Sequence, residues 1–122
     1  MIAGCYTLWI PDWRPCTLNQ MLGGSLRNRI RLKKSDMEII AGYFMKSGIP
    51  KAIGKRRIDV SMALSARQRV SDPDARWKSL LDGLVKCGGL VDDSAMLVEL
   101  GTVTQSHEYL IPGTKITLTE IP

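Results

Sequence analysis

The stretch IDVSMALSA (58–66) decides the fold of this chain. Its larger apolar residues occupy every second position and alternate with small or polar ones, which is the pattern of a β-strand with one buried face. The following residues, SDPDARWKSLLDGLVKCGG (71–89), change to helical spacing. Ser71 or Asp72 can cap a helix that has Pro73 at its first position, and the Gly-Gly pair can end it. We therefore predict a strand followed by an amphipathic helix, whose apolar stripe is Trp77, Leu80, Leu81 and Leu84.

The rest of the chain supplies three more strands and one more helix. A first strand is predicted over residues 3–10, before Pro11, and a loop follows over residues 11–26. Ser35 and Glu38 form a capping box that predicts a helix from about 35 to 46. Apolar residues at 98–103 and the alternation at 116–119 predict the last two strands. The predicted fold is a single α+β domain over residues 1–122, a mixed β-sheet packed by two helices in the order β-α-β-α-β-β.

The composition excludes several classes of protein. A chain of 122 residues, of which 44% are hydrophobic and 24% charged, should fold as one domain rather than stay disordered. The longest segment without a charged residue, 15–26, is shorter than the roughly 20 apolar residues that a membrane helix needs. No basic residue precedes the apolar stretch at the start, so no secretory signal is predicted and a cytoplasmic location is expected. Three Cys and one His do not suit a disulfide framework or a zinc site.

Basic and acidic residues are separated along the chain. Through Arg57, eleven Lys or Arg face three acids, giving +8, whereas from Ile58 onward six face nine, giving −3. A basic half suits a polyanion and a carboxylate-rich half suits a cation. Five cations lie near the predicted start of the first helix, where the helix dipole disfavours them, so we expect phosphate contacts from Arg27, Arg29, Arg31, Lys33 and Lys34. A second basic group brackets the central strand and consists of Arg56, Arg57, Arg67, Arg69 and Arg76.

The densest acidic region follows the central strand. Asp72 and Asp74 precede the second helix and Asp92-Asp93 follow it, so the two pairs are expected to converge at one edge of the sheet. Neighbouring carboxylates repel each other and suit a hard divalent cation, Mg²⁺ or Mn²⁺. The alternative is that these residues only cap the helix and mark a turn.

The same helix repeats charges at four-residue intervals, namely Asp74, Lys78, Asp82 and Lys86. Such a stripe usually forms surface pairs, and this is the expected role of Lys86. Lys78, one turn from Asp74, is instead a candidate for stabilising charge during phosphoryl transfer. Among the tryptophans that could stack on bases, Trp9 and Trp77 are expected to pack in the core.

Taken together, these charges resemble a known signature. Arg67-x-Arg69-x-x-Asp72-x-Asp74-x-x-x-Lys78-x-x-x-Asp82-x-Leu84, followed by Gly88 and Asp92-Asp93-Ser94, is similar to the signature of RusA-type Holliday junction resolvases. The match covers about residues 56 to 104, and the N-terminal half resembles the family only loosely.

This resemblance implies a homodimer that binds four-way DNA junctions and nicks two strands symmetrically with Mg²⁺. It places Asp72, Asp74 and Asp93 at the metal-binding catalytic aspartates and Lys78 at the catalytic lysine, and it leaves the roles of Asp82 and Asp92 open. Asp92 is a further candidate metal ligand. Arg67, Arg69 and Arg76 join the basic run near residue 30 as expected DNA contacts.

Two positions depart from the family pattern. Pro73 replaces a leucine and Ala75 replaces an asparagine, and the second change removes an amide that could hydrogen-bond a carboxylate or phosphate. Two alternatives therefore stay open. One is a DNA-binding relative without catalysis, and the other is a metal-dependent nuclease that acts on other branched nucleic acids.

Overall fold

The computed structural model describes residues 4–15, 26–66, 68, 77–107 and 111–122, without the side chains of 28, 29 and 33. Its elements are the strands β1 (Cys5–Pro11), β2 (Arg56–Ala63), β3 (Val98–Ser106) and β4 (Gly113–Glu120) and the helices α1 (Leu26–Ser47) and α2 (Trp77–Cys87). This order confirms the predicted α+β class. Within the described residues, neither helix combines the length and the apolar character that crossing a membrane requires.

The sheet has the strand order β1-β4-β2-β3. β4 pairs antiparallel with both β1 and β2, whereas β2 and β3 are parallel. A parallel pair needs a crossover connection, and α2 provides it between the end of β2 and the start of β3. The sheet is therefore mixed, as predicted.

Both helices pack on one face of this sheet. The alternation that predicted β2 is real, because Ile58, Val60 and Met62 are each less than 5% exposed. They join Leu8, Ile10, Ile40, Phe44, Leu80, Leu84, Ile116 and Leu118 in one core. Burial of each such side chain contributes about 1.5–3 kcal/mol, so this layer provides most of the stabilisation.

The two helices approach each other closely at Gly83. A Cβ atom at this position would lie 2.4 Å from Cδ1 of Ile40 in α1, so a larger residue could not be accommodated without movement. Gly83 therefore fixes the distance between α1 and α2, and with it the position of the charged residues on α2.

The prediction for the first helix was wrong at its start. α1 begins at Leu26, nine residues before Ser35, so the capping box lies inside the helix. The residues between are mostly Arg, Leu and Lys, which have high helix propensity, and this outweighs the unfavourable placement of cations near the helix start. The basic run thus belongs to a helix and not to a loop.

Candidate active site

An open cleft of about 250 Å³ lies beside α2. The residues that line it are Met37, Asp82, Val85, Lys86, Asp92 and Asp93. Three of these six residues carry carboxylates. The chain returns to the helix because Gly88 takes a positive φ of 92° and Leu90 N–H donates to Leu84 O at 3.2 Å. This glycine C-cap turns the chain back and brings Asp92 and Asp93 near Asp82.

Lys78 and Asp82 form an ion pair one helical turn apart. The Lys78 Nζ to Asp82 Oδ1 distance is 3.4 Å, and the lysine side chain is 56% exposed against 14% for the aspartate. Since the ammonium group stays largely in water, it can move from Asp82 to an incoming phosphate at little cost. This arrangement is compatible both with a surface pair and with a phosphate-binding lysine.

Asp92 and Asp93 have different local roles. The backbone N–H of Asp93 donates to Oδ1 of Asp92 at 2.9 Å, which is the hydrogen bond of an Asx turn. Both residues are exposed. Asp92 therefore helps to form the turn, which agrees with the alternative that these residues mark a turn. It also lines the cleft together with Asp93.

Lys86 is exposed, as expected of a residue on the solvated face of α2. It also lines the same cleft as Asp82, Asp92 and Asp93. Its cation lowers the repulsion among the three carboxylates. The four-residue spacing from Asp82 already pointed to a shared helix face, but the return of the chain after Gly88 could not be anticipated from spacing.

Several predicted site residues lie outside the described part of the chain. These are Arg67, Arg69, Asp72, Asp74 and Arg76. Their expected convergence with Asp92-Asp93 stays a prediction. Among the described residues, no three His, Cys, Asp or Glu side chains are grouped closely enough to hold a metal ion. The oxygen ligands around the cleft suit Mg²⁺ chemically, but a complete set of ligands would have to include Asp72 and Asp74.

A buried carboxylate behind the cleft escaped the sequence reasoning. Asp36 of α1 is 7% exposed and accepts hydrogen bonds from Ser79 Oγ at 2.5 Å and Trp13 Nε1 at 3.3 Å. Ser79 follows Lys78 directly, so these bonds hold the first turn of α2 against α1. No local pattern marks such a residue, because its partners are 23 and 43 positions away.

The basic residues divide into exposed and structural groups. Arg27, Arg31 and Lys34 are exposed on α1, in the part that precedes the buried Asp36. The side chains of Arg29 and Lys33 lie outside the described part. The exposed cations are therefore accessible to a polyanion.

Arg56 and Arg57, the two members of the second basic group at the start of β2, make contacts within the fold. Arg56 is 1% exposed and donates to the carbonyl oxygens of Gly89 and Pro50 and to Glu120 Oε1. Arg57 pairs with Asp59 and Glu99. Both stand at the start of β2, the end opposite to the one that leads toward α2. Their charges serve the fold.

Two tryptophans and one cysteine remain to be placed. Trp77 is partly buried against the core, as expected, but Trp9 is 41% exposed and the prediction of a core role for it was wrong. Trp9 occupies the sheet face opposite the helices, which a period-two pattern alone cannot distinguish from the buried face. Burial raises the pKa of the Cys87 thiol, so this residue is a poor candidate nucleophile.

Comparison of the chain with models of known protein families finds no match, and comparison with curated proteins finds none either.

Proposed function

We propose that this chain is a Mg²⁺-dependent endodeoxyribonuclease that resolves four-way DNA junctions by paired nicks. The observation that carries the proposal is the cleft beside α2, which Asp82 lines together with Asp92 and Asp93 although a glycine turn separates them in the chain. These are acidic positions of the signature that resembles the RusA-type resolvases. Lys78, its proposed catalytic lysine, is in contact with the same Asp82.

The chain's own residues would divide the work as follows. Asp72, Asp74 and Asp93 would hold the cation, with Asp92 as a further ligand. When bound, Mg²⁺ polarises the scissile phosphodiester and lowers the pKa of a water molecule. The exposed ammonium of Lys78 would leave Asp82 and donate hydrogen bonds to the phosphate as negative charge develops on it. Asp82 and Lys86 would keep the local charge balanced before DNA arrives.

The basic start of α1 would bind the phosphate backbone of the junction arms. Arg27, Arg31 and Lys34 are exposed, and the Lys34 Nζ lies 4.0 Å from Oε1 of Glu38, one helical turn further along α1. Contacts of this kind depend on charge and are largely independent of sequence. They would orient the DNA without selecting its bases.

A homodimer and a cytoplasmic location belong to the same proposal. A four-way junction presents two symmetry-related strands, and a closed two-fold dimer would supply two equivalent sites. Light scattering should give a mass of about twice 13.6 kDa at micromolar concentration. A purely monomeric protein that still makes paired nicks would contradict the dimer alone.

The proposal is tested with a synthetic mobile junction and a linear duplex of matched sequence, each incubated with Mg²⁺ or EDTA. Paired nicks in the junction alone, and only with Mg²⁺, are expected. Junction binding without cleavage would favour the alternative of a non-catalytic DNA-binding relative, which the alanine at position 75 favours. Cleavage of flaps or other branches instead would favour the broader nuclease.

A further inference from the structure

The sheet face opposite the helices carries one large aromatic residue among polar neighbours. Both helices pack on the face formed by the buried strand residues, so the described elements leave the other face open. This open face includes Thr7, Trp9, Ser61, Gly113, Lys115 and Thr117. An indole exposed to 41% on such a surface has no role in the core.

One side of the Trp9 indole packs against the backbone of Gly113. A Cβ atom at Gly113 would lie 2.5 Å from Cη2 and 2.6 Å from Cζ2 of Trp9, so the ring rests directly on the backbone of β4. Gly113 is buried although it belongs to the open face. The ring is therefore supported on one side while a large part of its surface remains in solvent, which lowers the entropic cost of stacking another ring on it.

A cation and a hydroxyl group stand beside the ring. Trp9, Ser61, Ala63 and Lys115 surround a cavity of about 60 Å³, which we name the Trp9 pocket. Lys115, on the central strand β4, is directly opposite Trp9 of β1 on one side and directly opposite Ser61 of β2 on the other. Lys115 is exposed, and the described part of the chain gives it no acidic partner within 4.0 Å.

We propose that the Trp9 pocket binds an unpaired nucleotide. The base would stack on the Trp9 indole and the adjacent phosphate would pair with the Lys115 ammonium, while the Ser61 hydroxyl is available for a hydrogen bond to the sugar or base. An aromatic ring beside a lysine that has no ion-pair partner among the described residues complements the flat base and the negative phosphate of this ligand, in a chain with a net charge of +5.

A second copy of the chain is a poorer occupant of this face. It would have to bury the Lys115 ammonium, which is costly without a counter-charge. The described acids of the open sheet surface cannot easily provide one, because Asp59 and Glu99 already pair with Arg57. A nucleic acid brings its own phosphate to the lysine.

The pocket stands at the end of the sheet that leads to the acidic segment. Ala63 is the last residue of β2, and Asp72 follows it nine positions later in the sequence. An unpaired base at a DNA branch point would thus be bound beside the end of β2, the strand that precedes the candidate catalytic residues. The inference does not rest on the proposed nuclease activity, because binding of a single strand can be measured without cleavage.

The test is binding of a fluorescently labelled oligothymidine of about ten nucleotides, and of a duplex of the same length, in EDTA. Trp9→Ala should weaken binding of the single strand about tenfold, since stacking on one aromatic residue contributes roughly 1–3 kcal/mol, and should leave duplex binding unchanged. Trp9→Phe should stay within about threefold of the parent protein because it keeps a ring. Lys115→Ala should lower the slope of log affinity against log salt by about 0.7.

Tyr43→Ala is the matched control, since Tyr43 is another exposed aromatic residue near a lysine but lies on α1. It should not change single-strand binding. Thermal unfolding of each variant separates loss of binding from loss of fold, and Trp9→Phe keeps the test valid if Trp9→Ala unfolds. Equal affinity of Trp9→Ala and the parent protein, or an equal loss in Tyr43→Ala, would overturn the proposal. Conversion of a dimer to a monomer by Trp9→Ala would also overturn it, because the face would then be covered by a second copy.

Discussion

Replacement of Asp36 by alanine should destabilise the protein by roughly 2–5 kcal/mol. The side chain is 7% exposed and accepts from Ser79 Oγ and Trp13 Nε1, so its loss leaves two donors without their acceptor in a mostly buried place. Each such donor costs about 1–3 kcal/mol. The lower end of the range applies if water reaches Trp13, which is only half-buried.

Urea unfolding followed by circular dichroism measures this effect. With a slope of about 1.5 kcal/mol per molar urea, a loss of 3 kcal/mol shifts the midpoint by about 2 M. Ser79→Ala alone should cost about 1 kcal/mol, and the double variant should show a coupling of at least about 0.5 kcal/mol. A loss below about 1 kcal/mol for Asp36→Ala, or full additivity with Ser79→Ala, would refute the claim that Asp36 joins α1 to the first turn of α2.

Three further predictions concern charge. Replacement of Arg27, Arg29 and Arg31 by alanine should weaken junction binding and flatten its salt dependence by up to about one log-log unit per lost phosphate contact. Unchanged binding would mean that these three residues make no phosphate contacts. Lys78→Ala should lower the rate of junction incision by about 10²–10³-fold, whereas Lys46→Ala, an exposed lysine in the last turn of α1, should leave the rate unchanged; equal effects would contradict the site. Burial alone would raise the pKa of Asp59, but hydrogen bonds from Arg57 and Thr102 hold it below its ordinary value. Its stabilising contribution is therefore present above about pH 4 and is lost as the pH falls through the folded-state pKa, so Asp59→Asn should be less stable than the parent at pH 7 and should approach it in acid, as measured by urea unfolding.

The sheet and the second helix were predictable because their signals are local. The alternation from Ile58 to Leu64 predicts the buried face of β2, and the Gly-Gly pair after Cys87 predicts the end of α2. In both cases the residues that carry the pattern are also the ones that pack, so periodicity and burial agree.

The misjudged features depend on contacts that are distant in sequence. Arg56 belongs to a basic group in the sequence, but its two terminal nitrogens, Nη1 and Nη2, donate to Gly89, Pro50 and Glu120, which approach only in the folded chain. Trp9 looked like a core residue because its own strand is apolar, and its exposure follows from the placement of both helices on the other face.

The candidate site in the structure differs in its members from the expected one. The fold brings Asp92 and Asp93 to the same cleft as Asp82, whereas the sequence analysis expected them beside Asp72 and Asp74. Lys86 and the buried Asp36 were missed, because a stripe of alternating charges also suits a solvated face and a lone aspartate in a helix has no pattern. Asp72 and Asp74 stay predictions from the signature alone.

The rate of incision of a mobile four-way junction by Asp93→Asn in Mg²⁺ tests the central claim most directly. This change keeps the shape of the side chain and removes its anionic charge, so incision should fall at least about a hundredfold, as it should for Asp74→Asn, while junction binding in EDTA stays equal or becomes tighter. Asp12→Asn is the matched control, since Asp12 is exposed, is not among the residues that line the cleft, and has a φ of 50° that asparagine tolerates well. It should cut at the parent rate. Normal Mg²⁺-dependent cutting by Asp93→Asn would contradict a catalytic site at this cleft.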